Sequence, residues 1–178
     1  IIIVHVYGRL AKVDKLVELC RKKNIFIIED AAEGLGSFYR DGKFKGKHAG
    51  TIGDIGCISF NGNKVITTGG GGAILTKKKK IADQARYLIT QSKDDPIFFK
   101  HNAIGYNYKM TNIHAALGLG QLEQIKKILN KKAYIYKKYH QSLKQVKGVR
   151  FCKINNFYSS NYWLNLIQIN KDSKIQNI

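Results

Sequence analysis

Apolar positions along this chain gather in short β-branched runs separated by longer polar stretches with helical spacing, the alternation expected of an α/β domain. Ile1 to Val6 opens as a strand. Lys12 to Lys23 sets Val13, Leu16, Val17 and Cys20 on one face, which predicts an amphipathic helix. Phe26 to Glu29 reads as a strand buried in a parallel sheet. Ala31 to Phe38 predicts a short helical turn broken by its glycines, and Arg40-Asp41-Gly42-Lys43 a turn. Asp54 to Phe60 and Ala73 to Thr76 predict strands on either side of a loop of small residues, with a helix over Lys79 to Gln91. Ser92 to Ile104 reads as irregular. A long helical stretch then runs from Asn112 to about Val146, capped by Thr111 or Asn112, with Ala115, Ala116, Leu119, Leu122, Ile125 and Ile128 as its buried stripe. Val149 to Ile154 and Tyr162 to Ile169 read as strands. Such alternation implies a mostly parallel sheet with flanking helices.

Two positions stand out chemically. The apolar run Ile55 to Phe60 ends in Asn61-Gly62-Asn63-Lys64, followed by Thr67-Thr68 and Gly69 to Gly72. A lone lysine held and partly desolvated at a strand end can lose its proton and form a Schiff base with a carbonyl; the same pattern fits an ordinary surface lysine. Upstream, the buried run Ile25 to Ile28 ends in Glu29-Asp30. A carboxylate there sits at the carboxyl end of the sheet, where open α/β folds place ligands, or caps the next helix. Asp30 precedes Lys64 by 34 positions, room for a crossover and a return strand. An amine and a carboxylate at neighbouring strand ends suit pyridoxal phosphate: the lysine holds the aldehyde carbon and the aspartate keeps the pyridine nitrogen protonated.

Four stretches in order extend that reading: Ile28-Glu29-Asp30-Ala31-Ala32-Glu33; Ser59-Phe60 with Lys64; Gly105-Tyr106-Asn107-Tyr108-Lys109-Met110-Thr111; and Ala115-Ala116-Leu117-Gly118 with Gln121-Leu122-Glu123. Together they resemble the DegT/DnrJ/EryC1/StrS family of pyridoxal-phosphate-dependent sugar aminotransferases, over most of the chain from Val4 to Trp163. The resemblance implies the aspartate-aminotransferase type of fold (type I), with 1–125 as the later part of a large cofactor-binding domain. Residues 126–178 would be a linking helix and the first strands of a small α/β domain. It implies that Lys64 bonds the cofactor covalently, Asp30 pairs with the pyridinium nitrogen and Glu33 lies near the ring's phenolic oxygen. Ser59 would bond the cofactor phosphate, and Asn107 would reach the phosphate of the neighbouring subunit's cofactor in a homodimer with shared sites. Lys109 stands where relatives often carry Arg; it keeps the charge but not the bidentate fork. A lysine at 64, rather than the histidine of the related sugar dehydratases, favours amino transfer. The implied reaction moves an amine from glutamate to a nucleotide-linked 4-keto-6-deoxy sugar. Glu33, Ser59 to Lys64 and Ser160-Asn161-Tyr162-Trp163 most resemble members acting on UDP-4-keto-6-deoxy-N-acetylhexosamines, as in bacillosamine or legionaminic acid synthesis. Tyr162 and Trp163 suit a sugar or base face. The alternative is a non-catalytic binding or regulatory relative; retention of both Lys64 and Asp30 speaks against it.

Composition adjusts this picture slightly. The 178 residues read as an internal fragment of a longer enzyme, lacking an initiator methionine. The net charge is +19, from 31 basic and 12 acidic residues, yet the lysines scatter over helix faces and no nucleic-acid motif interleaves them. A solvated basic surface follows, with some attraction for a nucleotide diphosphate. Cys20, Cys57 and Cys152 lack metal spacing and read as reduced thiols of a cytoplasmic protein; the five histidines show no metal pair. His101 is placed in the loop before Gly105, where it either lines the site or is ordinary loop. No apolar run is long enough to span a bilayer. Gly69 to Gly72 lacks the Lys-Ser/Thr of a P-loop and reads as a close turn behind Lys64.

Overall fold

The structure is a computed structural model that describes residues 1–95 and 97–170. β1 (Ile2–Val4) passes through a tight turn at Val6–Gly8 to α1 (Asp14–Lys22) and β2 (Ile28–Asp30). β3 (Phe38–Tyr39) lies in the crossover to β4 (Ile55–Ser59). β5 (Gly72–Leu75) and α2 (Lys79–Ile89) follow, then β6 (Lys93–Asp95) and β7 (Lys100–His101). Two helices, α3 (Asn112–Leu122) and α4 (Ile125–Leu143), lead to β8 (Val149–Phe151), β9 (Tyr158–Ser159) and β10 (Ile167–Ile169).

The main sheet has the order β1-β2-β4-β5. β1, β2 and β4 are parallel, and β5 returns antiparallel to β4. α1 buries Val17 and Cys20 against a core that includes Ile3, Val13, Ile27 and Ile58. Its apolar stripe is the one the helical spacing predicts. Because β2 alternates its faces, buried Glu29 and half-buried Asp30 point to opposite sides of the sheet.

Glu29 is the polar centre of this core, only 1% exposed. One carboxylate oxygen accepts the N–H groups of Ile52 and Gly53, both at 2.6 Å; the other accepts Gly50 N–H at 3.0 Å and faces His5 Nε2 at 2.9 Å. Ala11 N–H donates to His5 Nδ1, so Nε2 carries the proton and donates to Glu29. Burial pushes the Glu29 carboxyl up, but the bonds from His5, Gly53 and Ile52 outweigh it, and its pKa lies below the usual value. Directly after Gly53, at the start of β4, Asp54 accepts from Ile27 N–H at 2.8 Å and pairs with Arg21 and Lys78. Burial opposes its charge; Lys78, Ile27 N–H and Arg21 win, and hold its pKa at about 2 against an ordinary 3.8.

Several expectations are corrected. The stretch from Asn112 to Val146 is two helices, because the i→i−4 ladder lapses at Gln124, whose N–H turns back to Gln121 O at 3.1 Å. Thr111 is the cap, accepting His114 N–H. The proposed stripe is not buried along α3, where Gly118 is the buried residue; Ile125, Ile128 and Leu129 of α4 are those that pack, on Val65, Ile66 and Trp163. Residues 31–37 form two successive turns, Gly34 N–H to Ala31 O and Ser37 N–H to Gly34 O, not a helix. The stretch Ser92 to Ile104 contains the β6-β7 hairpin. The strand expected over Tyr162 to Ile169 is confined to Ile167–Ile169, paired with β8, because Tyr162 adopts φ 51° and its neighbours turn into the large sheet's loops. Residues 171–178, the end of the segment 126–178, lie outside the described residues. Among the described residues no helix is long and apolar enough to cross a membrane.

Replacing Glu29 by Gln presents an amide to four donors and is expected to cost about 3 kcal/mol or more in a urea titration. Since the Glu29 and Asp54 carboxyls both titrate below their ordinary values, their contribution is complete above the ordinary carboxylate range and is lost as pH falls. For Asp54 that window runs from 3.8 down to about 2. The melting temperature should drop through it, and Asp54→Asn should flatten that part of the profile.

Candidate active site

β4 ends at Ser59, and the chain loops through 60–71 before rejoining the sheet at Gly72, the register partner of Ser59. Backbone bonds close the loop on itself: Thr68 N–H to Phe60 O at 2.9 Å, Phe60 N–H to Gly71 O at 3.0 Å and Lys64 N–H to Asn61 O at 3.0 Å. Ser59 Oγ accepts Asn61 N–H at 3.3 Å. Val65 and Ile66 turn inward and are buried. Lys64 is thus carried on a rigid loop whose apolar half is anchored, and its side chain is only 14% exposed.

α3 clamps that loop from outside. Gln121 accepts Thr67 N–H at 3.1 Å and donates to Thr67 O at 2.5 Å, using both ends of its amide. One turn earlier, Gly118 lets the helix close on the loop: a Cβ there would lie 2.8 Å from Thr68 Cγ2. The stretch 115–123 that carried part of the family resemblance therefore has a local physical task.

Glu33 leaves the turns after β2 and places Oε1 3.9 Å from Lys64 Nζ. Its other oxygen accepts Tyr7 N–H at 2.5 Å. Asp30 closes β2 opposite Cys57, and Oδ1 accepts Ala32 N–H at 3.1 Å, the local turn bond a cap would make. Burial and the charge of Asp30 push the Cys57 thiol up, keeping it protonated. The structure brings Lys64 and Glu33 together and puts Asp30 and Ser59 at the carboxyl ends of adjacent strands. Asn107 is exposed, its backbone bridged to Thr90, and no hydrogen bond among the described residues links it to the other four. His101 is held by Gln91 O at 2.7 Å in the β6-β7 hairpin.

Sequence reasoning singled out the segment 160–163 but missed its contacts with Glu33 and the Lys64 loop. Asn161 is buried and donates from Nδ2 to Glu33 O and Leu35 O, both at 2.8 Å, while its Oδ1 accepts Trp163 N–H at 2.9 Å. Trp163, read as a sugar or base face, instead lies under Lys64, with Nζ 4.5 Å from the ring centroid. The signal was present in Asn161-Tyr162-Trp163 but not the partner, which lies about 100 positions upstream.

An amine, two carboxylates and a hydroxyl at the carboxyl ends of parallel strands form a donor set that fits pyridoxal phosphate: the amine for its aldehyde, a carboxylate for its pyridinium nitrogen, the hydroxyl for its phosphate. The fold is that of the type I pyridoxal-phosphate-dependent transferases. The chain belongs to the DegT/DnrJ/EryC1/StrS aminotransferase family, whose sequence profile matches residues 1–177. It is 46% identical over 149 residues to GDP-perosamine synthase of Escherichia coli O157:H7, covering 82% of this chain and 40% of that protein. Among solved structures it resembles DesI in the presence of its TDP-sugar product, with 27% identity, a TM-score of 0.81, and 94% of this chain and 41% of DesI covered. It shares the fold of Spr1654 from Streptococcus pneumoniae in its PLP-form, with 22% identity, a TM-score of 0.83, and 96% and 47% covered. The chain spans about two-fifths of the length of the curated relatives it matches.

Gln121→Ala should remove two hydrogen bonds to Thr67 and cost about 1–3 kcal/mol. Amide exchange at Thr67 should accelerate while that of Ile58 in β4 is unchanged.

Proposed function

We propose that the full-length protein is a pyridoxal-phosphate-dependent transaminase that moves the amino group of glutamate to the keto carbon of a nucleotide-linked 4-keto-6-deoxy sugar. The observation that carries it is Lys64 itself: a mostly buried amine on a fixed loop at the end of β4, with Glu33 alongside and Asp30 on the neighbouring strand. When bound, the cofactor supplies an aldehyde carbon and an electron-accepting ring.

Each residue then has a task of its own. Lys64 Nζ anchors the cofactor and carries a proton to and from the reacting carbon. Asp30 holds a proton on the pyridine nitrogen by charge. Glu33, fixed by Tyr7 N–H, orients the amine and the ring's edge. Ser59 Oγ contributes a hydrogen bond to the phosphate. Asn107, exposed here, serves a second copy across a dimer interface. The substrate assignment begins from the UDP-linked N-acetylhexosamine to which the Ser59–Lys64 and Ser160–Trp163 stretches correspond. A GDP-linked keto sugar is a second reading, favoured by the 46% identity to a GDP-perosamine synthase.

Borohydride treatment of the cofactor-loaded protein should fix the cofactor on the peptide containing Lys64, and Lys64→Ala should abolish both the fixed adduct and its absorption band. Amino transfer should fall by about 10²–10⁴-fold. A cofactor band that persists in Lys64→Ala contradicts the assignment. Comparing UDP-, GDP- and dTDP-linked keto sugars with glutamate selects the substrate. Mixing inactive Lys64→Ala and Asn107→Ala subunits should restore activity, since hybrid dimers carry one intact site; no restoration argues against a shared site.

A further inference from the structure

Trp163 is unusually well fixed for a residue just outside a regular strand. Its N–H donates to Asn161 Oδ1 at 2.9 Å, its indole Nε1–H donates to Asn63 O at 2.6 Å, and its carbonyl accepts from Lys132 Nζ at 3.5 Å. One neighbour is the Tyr7 ring, stacked at 6.3 Å, and Val65 and Ile66 complete the packing. Trp163 is 8% exposed. The Nε1 bond and the packing on Val65 and Ile66 fix the ring relative to the loop that bears Lys64, and the Nε1 bond goes to the residue directly before it. The ammonium sits 4.5 Å from the ring centroid, within cation–π range, while Glu33 Oε1 is 3.9 Å from Nζ.

Resting on the reading of Lys64 as the reacting amine, we propose that Trp163 is a positioning residue. Its π face and Glu33 together hold the Lys64 amine in place whenever the bond to the cofactor is open. A flexible four-carbon side chain released into solvent would sample many rotamers and lose its alignment with the reacting carbon. The indole limits that freedom on one side. Its Nε1–H bond to Asn63 O ties the ring and the lysine backbone into one unit, so platform and amine move together.

The test uses the full-length, cofactor-free protein and trace acetic anhydride, with labelling of Lys64 read by peptide mass spectrometry against exposed Lys126 in the same molecule. Trp163→Phe keeps a π face and should hold the Lys64/Lys126 ratio within about two-fold of wild type. Trp163→Leu keeps apolar bulk but no π face and should raise it about five-fold or more, the scale of a partly desolvated cation–π contact. Equal ratios in the two variants would reduce Trp163 to a packing residue and overturn the proposal. Should Leu disrupt folding, fluorinated tryptophans keep shape and hydrogen bond while draining the ring's negative face. Lys64 labelling should then rise with each added fluorine, and a flat response overturns the proposal. Borohydride mapping on wild type separates the two readings. A cofactor fixed elsewhere, with the labelling pattern intact, removes the catalytic role of Lys64 but leaves the hold of Trp163 on it.

Discussion

The arrangement rests on one buried carboxylate. Glu29 lies in the middle strand of three parallel ones and gathers N–H groups from Gly50, Ile52 and Gly53 and the imidazole of His5. A buried charge without such partners would be prohibitively costly, so the fold is committed to bringing four donors to one point. In doing so it fixes the approach to β4 on one side and the exit of β1 on the other. Asp30, the next residue, faces the opposite side of the sheet and takes its position from the same strand. The core carboxylate and the one proposed for the cofactor are thus adjacent in sequence, separated by the pleat of a strand.

The reactive end of the molecule is built by segments distant in the chain. Residues 60–71 would be a flexible glycine-rich loop alone. Gln121 grips it through Thr67, and Trp163 through Asn63. Each clamp uses side-chain to backbone bonds, which set position without adding charge near the amine. Among the described residues the charge paired with the amine is that of Glu33, itself pinned at its main chain by Asn161 and at its carboxylate by Tyr7 N–H.

Local pattern was enough for β1, α1, β4, β5 and α2, because each carries apolar positions whose period matches its backbone. The placement of Lys64 and Asp30 was legible for a related reason: both follow apolar strands, and strand ends of parallel sheets are where polar groups can gather. The break at Gln124 was not legible, since helical spacing continues through it. The Ala115–Leu122 stripe misled because apolar spacing shows which residues could be buried, not which are. The task of Asn161 and Trp163 depends on contacts with Glu33 and Lys64, separated from them by about 100 positions or more, and spacing along the chain carries no signal of that kind.

Gly8 and Asn161 occupy what is in effect a single volume. Gly8 adopts φ +72°, and a Cβ on it would come 1.8 Å from Asn161 Oδ1. Asn161 uses two donors and an acceptor of its amide at once, so Asp lacks the donors and a smaller residue leaves carbonyls of Glu33 and Leu35 without a partner. Each residue therefore sets the mutational tolerance of the other across 153 positions of chain. Drift at either one alone is a dead end, and a lineage that changes this corner must cross by paired replacements. The most conservative part of this corner's evolution is then expected at a glycine and an asparagine fitted to each other.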